Sequence, residues 1–506
     1  MKEGYPKGFQ LLLLVSVFVV ATCGLIYELV AGTLASYLLG DSVTQFSTII
    51  GTYLFSMGIG SYLSKYFKHN LVSWFVRVEI LVGLVGGFSS CILYLVFEQI
   101  LYFRLVLYLL VSLTGILVGL EIPLLMRILK DRLEFSELVS KIFTFDYIGA
   151  LLASIIFPLL LIPYLGILRT SFLFGILNVG VAWFICYRFG TEIPGVRFLK
   201  IWAITVVLFL VTGFILSDKL IRFAESLAYQ EKIIFAKSSP YQRIILTRNA
   251  NELRLYLNGN LQFSSMDEYR YHESLVHPGL ASLKEPKNIL VMGGGDGLAV
   301  REILKYNSVE SITLVDLDKA VTELFKSGSL LTALNQNSLS SPKIKVINED
   351  AFVWIKNQNK QFDFIVVDFP DPSNYSLGKL YSVSFYRELK KILKHQGCIV
   401  IQSTSPFVAR KSYWIVNQTL KTVGFSTLPY HCYIPSFGEW GFVLAFNNTF
   451  NMPSEFPGGL KFINAESFRQ LTVFPPDMSE IMCEANSLNN QVLVNTFEKE
   501  WAAYSK

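Results

Sequence analysis

The stretch Asn288-Ile-Leu-Val-Met-Gly-Gly-Gly-Asp-Gly297 decides the fold of the C-terminal half of this chain. Its apolar residues predict a short buried strand, which stops at three consecutive glycines. Glycine there permits a tight turn and lets a bound molecule approach the backbone closely. Residues 298–306 then have the pattern of a helix. The stretch therefore predicts the first strand, turn and helix of a nucleotide-binding α/β domain, the alternative being a tight turn in another kind of α/β protein.

Three more strands are predicted downstream, over residues 311–315, 344–349 and 362–367, and each is followed by an acid. The first of these acids stands about twenty residues after the glycines, where a βαβ unit places the acid that binds ribose. Ligands of open α/β sheets bind at the carboxyl ends of the strands. One edge of the sheet is therefore expected to carry five carboxylates: Asp296, Asp316, Asp350, Asp368 and Asp371. The alternative is an acidic edge that only faces solvent.

The N-terminal part of the chain has a different character. The chain has 506 residues and is 52% hydrophobic, which is high for a soluble protein. The excess lies in residues 1–217, where most apolar runs approach the ~20 residues that cross a bilayer as a helix. These residues predict an all-α, multi-pass membrane domain of about seven spans, with the lipid bilayer as its partner. The runs are residues 9–31, 45–63, 72–97, 101–126, 142–166, 170–187 and 199–217.

The orientation of this domain is ambiguous. Lys and Arg gather before the first run and after the second, fourth and sixth runs. With seven spans, the positive-inside rule then places the C-terminal half outside the cell. A nucleotide-using enzyme needs cytosolic substrates, so we predict that the catalytic domain is cytoplasmic. The count of seven spans would change if one segment within residues 27–40 were re-entrant.

Four acids fall within or near these runs: Glu28, Glu79, Glu121 and Asp146. An acid inside a membrane is costly and marks a candidate site for cations or protons. The alternative is that these acids lie at the interface or pair with Arg77, Arg104 or Arg127.

Cysteine and charge exclude other classes. The six cysteines form no close pair, which indicates neither a disulfide framework nor a metal site. The net charge of +5 is small for this length and no basic tract is present, so nucleic acid is not an expected partner.

The C-terminal half divides further by pattern. Residues 218–285 predict a linker helix and a small antiparallel β domain, in which residues 243–247 and 253–257 are paired strands. Residues 286–447 form the predicted α/β catalytic domain, and residues 448–506 a C-terminal tail.

Several motifs in this half carry a family resemblance. In chain order they are Tyr241-Gln242, Asn258-Gly-Asn-Leu-Gln262, Asp267-Glu-Tyr-Arg-Tyr-His-Glu273, Gly293-Gly-Gly-Asp-Gly297, Asp316-Leu-Asp318, Glu349-Asp-Ala351 and Asp368-Phe-Pro-Asp-Pro372. In order and spacing the chain resembles the spermidine synthases, the polyamine aminopropyltransferases, and its N-terminal half resembles the membrane-bound bacterial branch of that family. The resemblance implies a small β domain followed by a methyltransferase-like Rossmann domain.

The resemblance also implies an activity. The aminopropyl group of decarboxylated S-adenosylmethionine, a co-substrate, would pass to putrescine or a similar diamine, giving spermidine and methylthioadenosine without a metal or other cofactor. An amine with a pKa near ~10 arrives protonated and must lose a proton before it attacks. Asp368, at the end of a central strand, is the candidate base, and the catalytic acid of the family falls on the same position. A helix N-cap is its alternative role.

The remaining site residues follow from the turn, the strand ends and the resemblance. Asp296 would repel the carboxylate of S-adenosylmethionine and hold the amine of the decarboxylated form. The predicted nucleoside-binding residues are Gln242, Gly293, Gly295, Asp316, Asp350 and Ala351, and the predicted polyamine-binding residues are His272, Asp296 and Asp371. A structural role is the alternative for His272.

Two departures from the family pattern put the acceptor amine in doubt. The small polar residues expected between Asp368 and Asp371 are Phe369 and Pro370, and a tyrosine of the family is Phe437, with Glu439 close by. Two other functions stay open: an S-adenosylmethionine-dependent amine methyltransferase, and a polyamine transporter or sensor with a non-catalytic nucleoside-binding domain. The chain is also expected to form a homo-oligomer.

Overall fold

The structure is a computed structural model that describes residues 8–39, 42–96, 100–130, 134–188, 190, 193–229, 231–448 and 450–504. The chain divides into two compact units, Met1–Gln230 and Glu231–Lys506. The predicted domain bounds 1–217, 218–285, 286–447 and 448–506 stay predictions, and their ends at residues 1 and 506 lie outside the described residues.

The described residues of the N-terminal unit form helices joined by short connections, as its apolar runs predict. A short π-helical stretch, Phe157–Leu161, follows the fifth helix at Pro158. The helices are α1 Gly8–Leu39, α2 Ser42–Leu63, α3 Leu71–Val96, α4 Ile100–Leu129, α5 Phe135–Ile156, α6 Ile162–Arg188 and α7 Val196–Ala228.

Five segments of these helices are long and apolar enough to cross a bilayer, among the residues that the structure describes: Leu14–Ser36, Leu71–Val96, Tyr102–Leu129, Ser136–Arg188 and Val196–Leu227. The fourth segment is 53 residues long and is broken at Gly166, whose φ of 76° and ψ of 172° are not helical. Because about 20 helical residues cross a bilayer, this segment has the length of two crossings. The number of spans stays a prediction.

Glycines bring α3 and α6 unusually close together. A Cβ on Gly83 would stand 2.7 Å from the carbonyl oxygen of Gly175, and a Cβ on Gly175 would stand 2.6 Å from that of Gly83. Real Cβ atoms do not approach backbone oxygens this closely, so only glycine allows the contact. Small residues at helix crossings are the usual means by which membrane helices pack.

The C-terminal unit begins with a small antiparallel sheet. Its four strands run in sequence order, β1 Lys232–Ser238, β2 Arg243–Asn249, β3 Glu252–Leu257 and β4 Asn260–Ser264. Leu246, Leu255 and Phe263 turn inward from this sheet and are buried with the core of the neighbouring α/β layer. The predicted small antiparallel sheet is therefore present.

A seven-stranded mixed sheet follows, in the order β10-β11-β9-β8-β5-β6-β7. The five strands from β9 to β7 are parallel, and β11 and β10 close one edge as an antiparallel hairpin. Ile289 and Val291 pack into one core, and Leu290 and Met292 pack into the core on the other face. Both faces are therefore covered, which explains the continuous apolar run. The strands are β5 Asn288–Gly293, β6 Ser311–Val315, β7 Ile344–Ile347, β8 Phe362–Asp368, β9 Leu393–Gln402, β10 Ser426–Ile434 and β11 Gly438–Phe446.

Helices cover both faces of this sheet, and the C-terminal tail packs on the same unit. The helices are α8 Glu268–Leu280, α9 Leu298–Ile303, α10 Lys319–Ser327, α11 Ser329–Leu334, α12 Ala351–Trp354, α13 Tyr375–Gly378, α14 Val383–Ile392, α15 Arg410–Thr422, α16 Ala465–Leu471 and α17 Val492–Tyr504. In the tail, α16 lies near β10 and α17 lies near α15. The Rossmann-like fold with a mixed sheet agrees with the predicted fold class. Its parallel strands lie in the order β9-β8-β5-β6-β7.

Candidate active site

The carboxyl ends of the central strands bring acids and glycines to one edge of the sheet. β5 lies between β8 and β6, and Gly293 of β5 is in register with Asp368 at the end of β8. Asp316 follows β6, and Asp350 follows β7. The order of the strands therefore places the four predicted strand ends side by side.

The glycine turn is shaped by its two acidic neighbours. Gly293 has a φ of 81°, and a Cβ there would stand 2.1 Å from the backbone oxygen of Asp368. A Cβ on Gly295 would stand 2.7 Å from Asp316 Oδ2. The Gly295 amide instead donates to that oxygen at 3.1 Å. A side chain at Gly293 would therefore clash with the backbone of Asp368, and one at Gly295 with the carboxylate of Asp316.

Asp316 and Asp318 connect the large sheet to the small one. Asp316 Oδ1 accepts the Asp318 amide at 2.8 Å, and burial raises the pKa of Asp316 to about 6. Asp318 Oδ2 accepts Gln242 Nε2 at 2.9 Å and Ser239 Oγ at 2.6 Å. The predicted residue Gln242 is thus held beside Asp316 through Asp318, at the start of β2.

Asp368 is bound by a tyrosine from α8. Tyr271 Oη donates a short hydrogen bond to Asp368 Oδ1. Burial raises the pKa of Asp368 to about 6, against the opposing effects of His272 and of the Tyr271 hydrogen bond, while the charge of Asp296 adds to the rise. Burial beside Asp368 also raises the pKa of Tyr271 well above its usual range. The pair therefore holds an ionisable carboxylate next to a phenol that keeps its proton.

Asp371 is fixed from the other side. Its carboxylate accepts Gln402 Nε2 and Thr404 Oγ1, each at 3.1 Å. Burial raises the pKa of Asp371 to about 6, although both hydrogen bonds oppose the shift. The hydroxyl of Tyr381 donates to the backbone oxygens of Phe369 and Pro370 at 3.1 Å. The short segment between the two acids is therefore held in place.

Asp296 interacts electrostatically with both Asp316 and Asp368. Its Oδ1 accepts the Leu298 amide at 2.9 Å. Its charge raises the pKa values of both Asp316 and Asp368, and its own pKa is raised by burial, against the effect of His272. The structure therefore brings Asp296, Asp316 and Asp368 into one interacting group.

His272 belongs to a buried ion network on α8 and α9. Its Nδ1 is 2.8 Å from Glu268 Oε2, and the two oxygens of Glu268 bind the guanidinium of Arg301 at 2.9 Å each. Burial opposes ionisation of Glu268, but the hydrogen bonds from His272 and Arg301 outweigh it and lower its pKa to about 2. Burial would lower the pKa of His272, yet the Glu268 hydrogen bond outweighs it and raises that pKa. The imidazole is thus oriented by Glu268.

Asp350 and Ala351 lie at the far end of the edge. Asp350 Oδ1 accepts the Phe352 amide at 2.8 Å and caps α12, of which the buried Ala351 is the first residue. Asp350 Oδ2 is 2.7 Å from Lys379 Nζ. Asp350 is therefore the one predicted site acid that carries a lysine ion pair, among the residues that the structure describes.

The second departure from the family pattern, Phe437 with Glu439, lies on the β10–β11 hairpin. Glu439 pairs with His431 Nδ1 across the hairpin. The ring of Phe437 is 6.4 Å from that of Tyr271 and 5.4 Å from that of Trp440. Trp440 Nε1 donates to Gln402 Oε1 at 3.2 Å, and Gln402 also holds Asp371. Phe437 and Trp440, rather than Glu439, therefore reach toward the acids.

Sequence reasoning missed Tyr271, Gln402, Thr404 and Trp440. Tyr271 stands inside a quoted motif, but its partner Asp368 is 97 positions away and belongs to another element. Gln402 ends β9, next to β8, which was the available signal for a side chain at the same edge. The side chains of Thr404 and Trp440 gave no signal of their own.

The chain is similar to proteins of one known family. The family profile described as the spermine/spermidine synthase domain matches residues 268–454. A polyamine aminopropyltransferase of Leptospira interrogans serogroup Icterohaemorrhagiae serovar copenhageni is 54% identical over 492 residues, covering 97% of this chain and 99% of that protein. Polyamine aminopropyltransferase 2 of Ralstonia nicotianae is 52% identical over 499 residues, covering 97% and 98%.

Two solved structures are similar to part of the chain. One is the crystal structure of a spermidine synthase in complex with the transition state analogue AdoDATO, with a TM-score of 0.46 and 24% identity over 54% of this chain and 89% of that chain. The other is the spermidine synthase from Thermotoga maritima, with a TM-score of 0.45 and 24% identity over 54% and 88%.

Proposed function

The chain belongs to the polyamine aminopropyltransferase family, and we propose that its carboxylate edge transfers the aminopropyl group of decarboxylated S-adenosylmethionine to putrescine. The products are spermidine and methylthioadenosine. One observation carries the proposal: Asp368, bound by Tyr271, stands in the same interacting group as Asp296 and Asp316 at the carboxyl ends of the parallel strands.

Asp368 is the proposed base. The neutral amine of the acceptor attacks the carbon next to the sulfonium, the carbon–sulfur bond breaks, and its electron pair stays on sulfur. Before the attack, the ammonium proton passes to the Asp368 carboxylate. A base works best when its pKa lies near the working pH, and burial raises the pKa of Asp368 to about 6. Tyr271 donates to Oδ1 and orients the carboxylate.

Both substrates arrive as cations, and the acids supply the complementary charge. Asp371, held by Gln402 and Thr404, is proposed to bind the amine of the diamine, and His272, oriented by Glu268, to line the polyamine site. Asp296 is proposed to bind the terminal amine of the donor and to repel the carboxylate that S-adenosylmethionine carries at this place. Charge selection of this kind acts mainly through repulsion of the wrong substrate.

The nucleoside is proposed to lie along the glycine turn. Gly293 and Gly295 leave room for its close approach, and Asp316 would accept its ribose hydroxyls, as acids at this position of a βαβ unit do. Asp350 and Ala351 would contact the adenine, with Gln242 beside the nucleoside. Lys379 pairs with Asp350 Oδ2 at this end of the edge.

The decisive experiment compares two substitutions on one strand. Asp368→Asn keeps the shape of the side chain and an acceptor for Tyr271 but removes the base, so methylthioadenosine production should fall at least 100-fold while nucleoside binding changes little. The matched control is Asp363→Asn, because Asp363 stands at the other end of β8 and pairs with Lys394. Full activity in Asp368→Asn would show that another group is the base.

The same assay separates the rival functions. The protein is given each nucleoside together with putrescine. Methylthioadenosine from the decarboxylated donor supports aminopropyl transfer, and S-adenosylhomocysteine from S-adenosylmethionine supports a methyltransferase. Binding of both substrates without turnover supports a polyamine transporter or sensor.

The N-terminal unit is proposed to insert the protein into the cell membrane, with the catalytic unit in the cytoplasm. Five described segments have sufficient length and apolarity, and large apolar side chains such as Leu105, Leu151 and Leu208 are exposed on these helices. In water such a surface would be unfavourable, whereas lipid chains cover it without cost.

A further inference from the structure

Polar side chains from four helices form a row in the core of the N-terminal unit. Glu79 of α3 and Glu121 of α4 are 0% and 1% exposed, and their carboxyl groups lie within hydrogen-bonding reach of each other. Asn178 Nδ2 of α6 donates to Glu79 Oε2 at 2.7 Å. Tyr27 Oη of α1 donates to Asn178 Oδ1 at 3.2 Å. The row therefore runs from Tyr27 through Asn178 and Glu79 to Glu121.

The row lacks a hydrogen between its last two members, Glu79 and Glu121. Tyr27 and Asn178 both supply a hydrogen to the next member, but two ionised carboxylates have none to place between them. Oε1 of Glu79 and Oε1 of Glu121 are each buried without a donor. Two unshielded negative charges at this distance repel strongly in a medium of low dielectric constant, and neighbouring carboxylates commonly relieve this by sharing one proton.

The surroundings offer no positive charge that would serve instead. Arg127 donates to the backbone oxygens of Ser64 and Phe67, and Arg77 lies over the ring of Trp74. No Lys, Arg or His pairs with either carboxylate in the part of the chain that the structure describes. The titratable side chains that face the pair are all acids: Cys23 and Tyr27 on α1, Tyr53 on α2 and Asp146 on α5.

A small cavity lies at the Tyr27 end of the row. Its volume is about 10 Å³, and it is also lined by Tyr53, Ser89 and Thr114. This is room for a single water molecule. Glu79 and Glu121 are not among its lining residues, so this water belongs to the Tyr27 end of the row. A proton shared by the two carboxyl groups needs no cavity of its own.

We propose that Glu79 and Glu121 form a proton-binding site in the N-terminal unit, a carboxylic acid and a carboxylate that hold one proton between them. When the site gives up its proton to water, hydronium forms and two carboxylates remain. In a bundle that crosses a membrane, such a site gives the helical unit a proton-linked function separate from the transfer reaction.

The test is the thermal unfolding of the full-length protein in detergent as a function of pH. A proton bound in the folded state and released on unfolding contributes stability that is lost as pH rises. The wild-type unfolding temperature should therefore fall, by about 3 °C per pH unit, between the pKa of an unfolded glutamic acid, about 4.3, and the pH at which the folded pair loses its proton, and it should level off above that pH. In Glu121→Gln the amide supplies a fixed N–H to Glu79, so that fall should disappear.

Two further variants make the result decisive. Glu79→Gln places the fixed donor on the other partner and should give the same flat profile, which also guards against misfolding of the first variant. Glu134→Gln replaces an exposed acid of the same unit and should follow the wild type. Identical pH profiles for wild type and both pair variants would overturn the proposal. Stabilisation of the wild type alone by sodium ions or spermidine would also overturn it, because the pair would then hold that cation.

Discussion

Asp368 and Asp371 make the reaction depend on pH at the residue scale. Burial raises the pKa of each to about 6, and both must be ionised, one to accept a proton and the other to bind an ammonium group. We expect kcat/KM to fall as pH drops through about 6, with a steeper slope below it than one ionisation gives. A pH profile of methylthioadenosine production measures this, and activity that stays constant down to pH 5 would contradict it.

The same burial costs stability, with the opposite dependence on pH. An acid whose pKa is raised in the folded state stabilises the fold at low pH, and that contribution is lost as pH rises through the folded value. For Asp368, a rise from 3.8 to about 6 corresponds to at most about 3 kcal/mol. Asp368→Asn should therefore unfold at a higher temperature than wild type at pH 8, and the difference should shrink at pH 4.

Asp363 is the matched comparison, because it stands on the same strand and responds in the opposite sense. Burial alone would raise its pKa, but Lys394 and the amides of Asn288 and Lys287 outweigh burial and lower it. Its carboxylate therefore stabilises the fold above its unfolded pKa, and that contribution is lost as pH falls. Asp363→Asn should lower the unfolding temperature at pH 8. Shifts of the same sign in both variants would refute the opposite directions of the two pKa shifts.

Single residues also show what the sequence can predict. Asp296, Asp316, Asp350 and Asp368 could be placed at one edge, because each follows an apolar strand and parallel strands share an edge. Tyr271 could not be assigned to Asp368 in the same way. Its position is set by the packing of α8 against the sheet, which no local pattern encodes.

At the scale of elements, the local sequence pattern predicts the strands up to β8, whereas the β10–β11 hairpin depends on long-range packing. The run before Gly293 is apolar on every residue because both faces of β5 are covered. The β10–β11 hairpin was not predicted, since its edge position and its role at the site depend on β9. For the same reason the pairing of Glu439 with His431 was not apparent from the acid alone.

The tail positions α8 through one buried acid. Glu273 is 2% exposed, and its carboxylate accepts the amides of Lys461, Phe462 and Ile463 at 2.8, 2.8 and 3.1 Å. The guanidinium of Arg270, one turn earlier on α8, lies 4.2 Å from the centre of the Phe462 ring. The helix that carries Tyr271 and His272 is therefore fixed against residues 461–463.

Breaking this anchor should impair catalysis more than binding. Glu273→Gln turns one acceptor oxygen into an NH₂ group that faces backbone amides, at a cost of about 2 kcal/mol. We expect kcat to fall roughly 10-fold, since α8 shifts Tyr271 relative to Asp368, and the nucleoside KM to change less than 3-fold. Glu466→Gln, an exposed acid on α16, is the control. Equal loss of kcat and nucleoside affinity would indicate general unfolding instead.

At the scale of the whole molecule, composition predicts the division into a helical and an α/β part. The seven apolar runs all fall in described helices, apart from residue 97, which lies outside the described residues. Composition did not determine the number of membrane spans, because one 53-residue apolar segment is broken at Gly166 without a polar loop. The predicted homo-oligomer stays a prediction.

Orientation is the last consequence of this architecture. The positive-inside rule with seven spans places the catalytic unit outside the cell, whereas the nucleoside donor and the diamine are expected in the cytosol. An additional or missing crossing near the breaks of the helical unit reverses the first argument but leaves the second intact. We therefore expect a protease added to intact cells to spare residues 231–506 and to degrade them once the membrane is opened, with a periplasmic protein as the positive control. Degradation in intact cells would place the unit outside and would require both substrates there. Recovery of the whole chain in the soluble fraction, instead of the membrane fraction, would refute the membrane proposal itself.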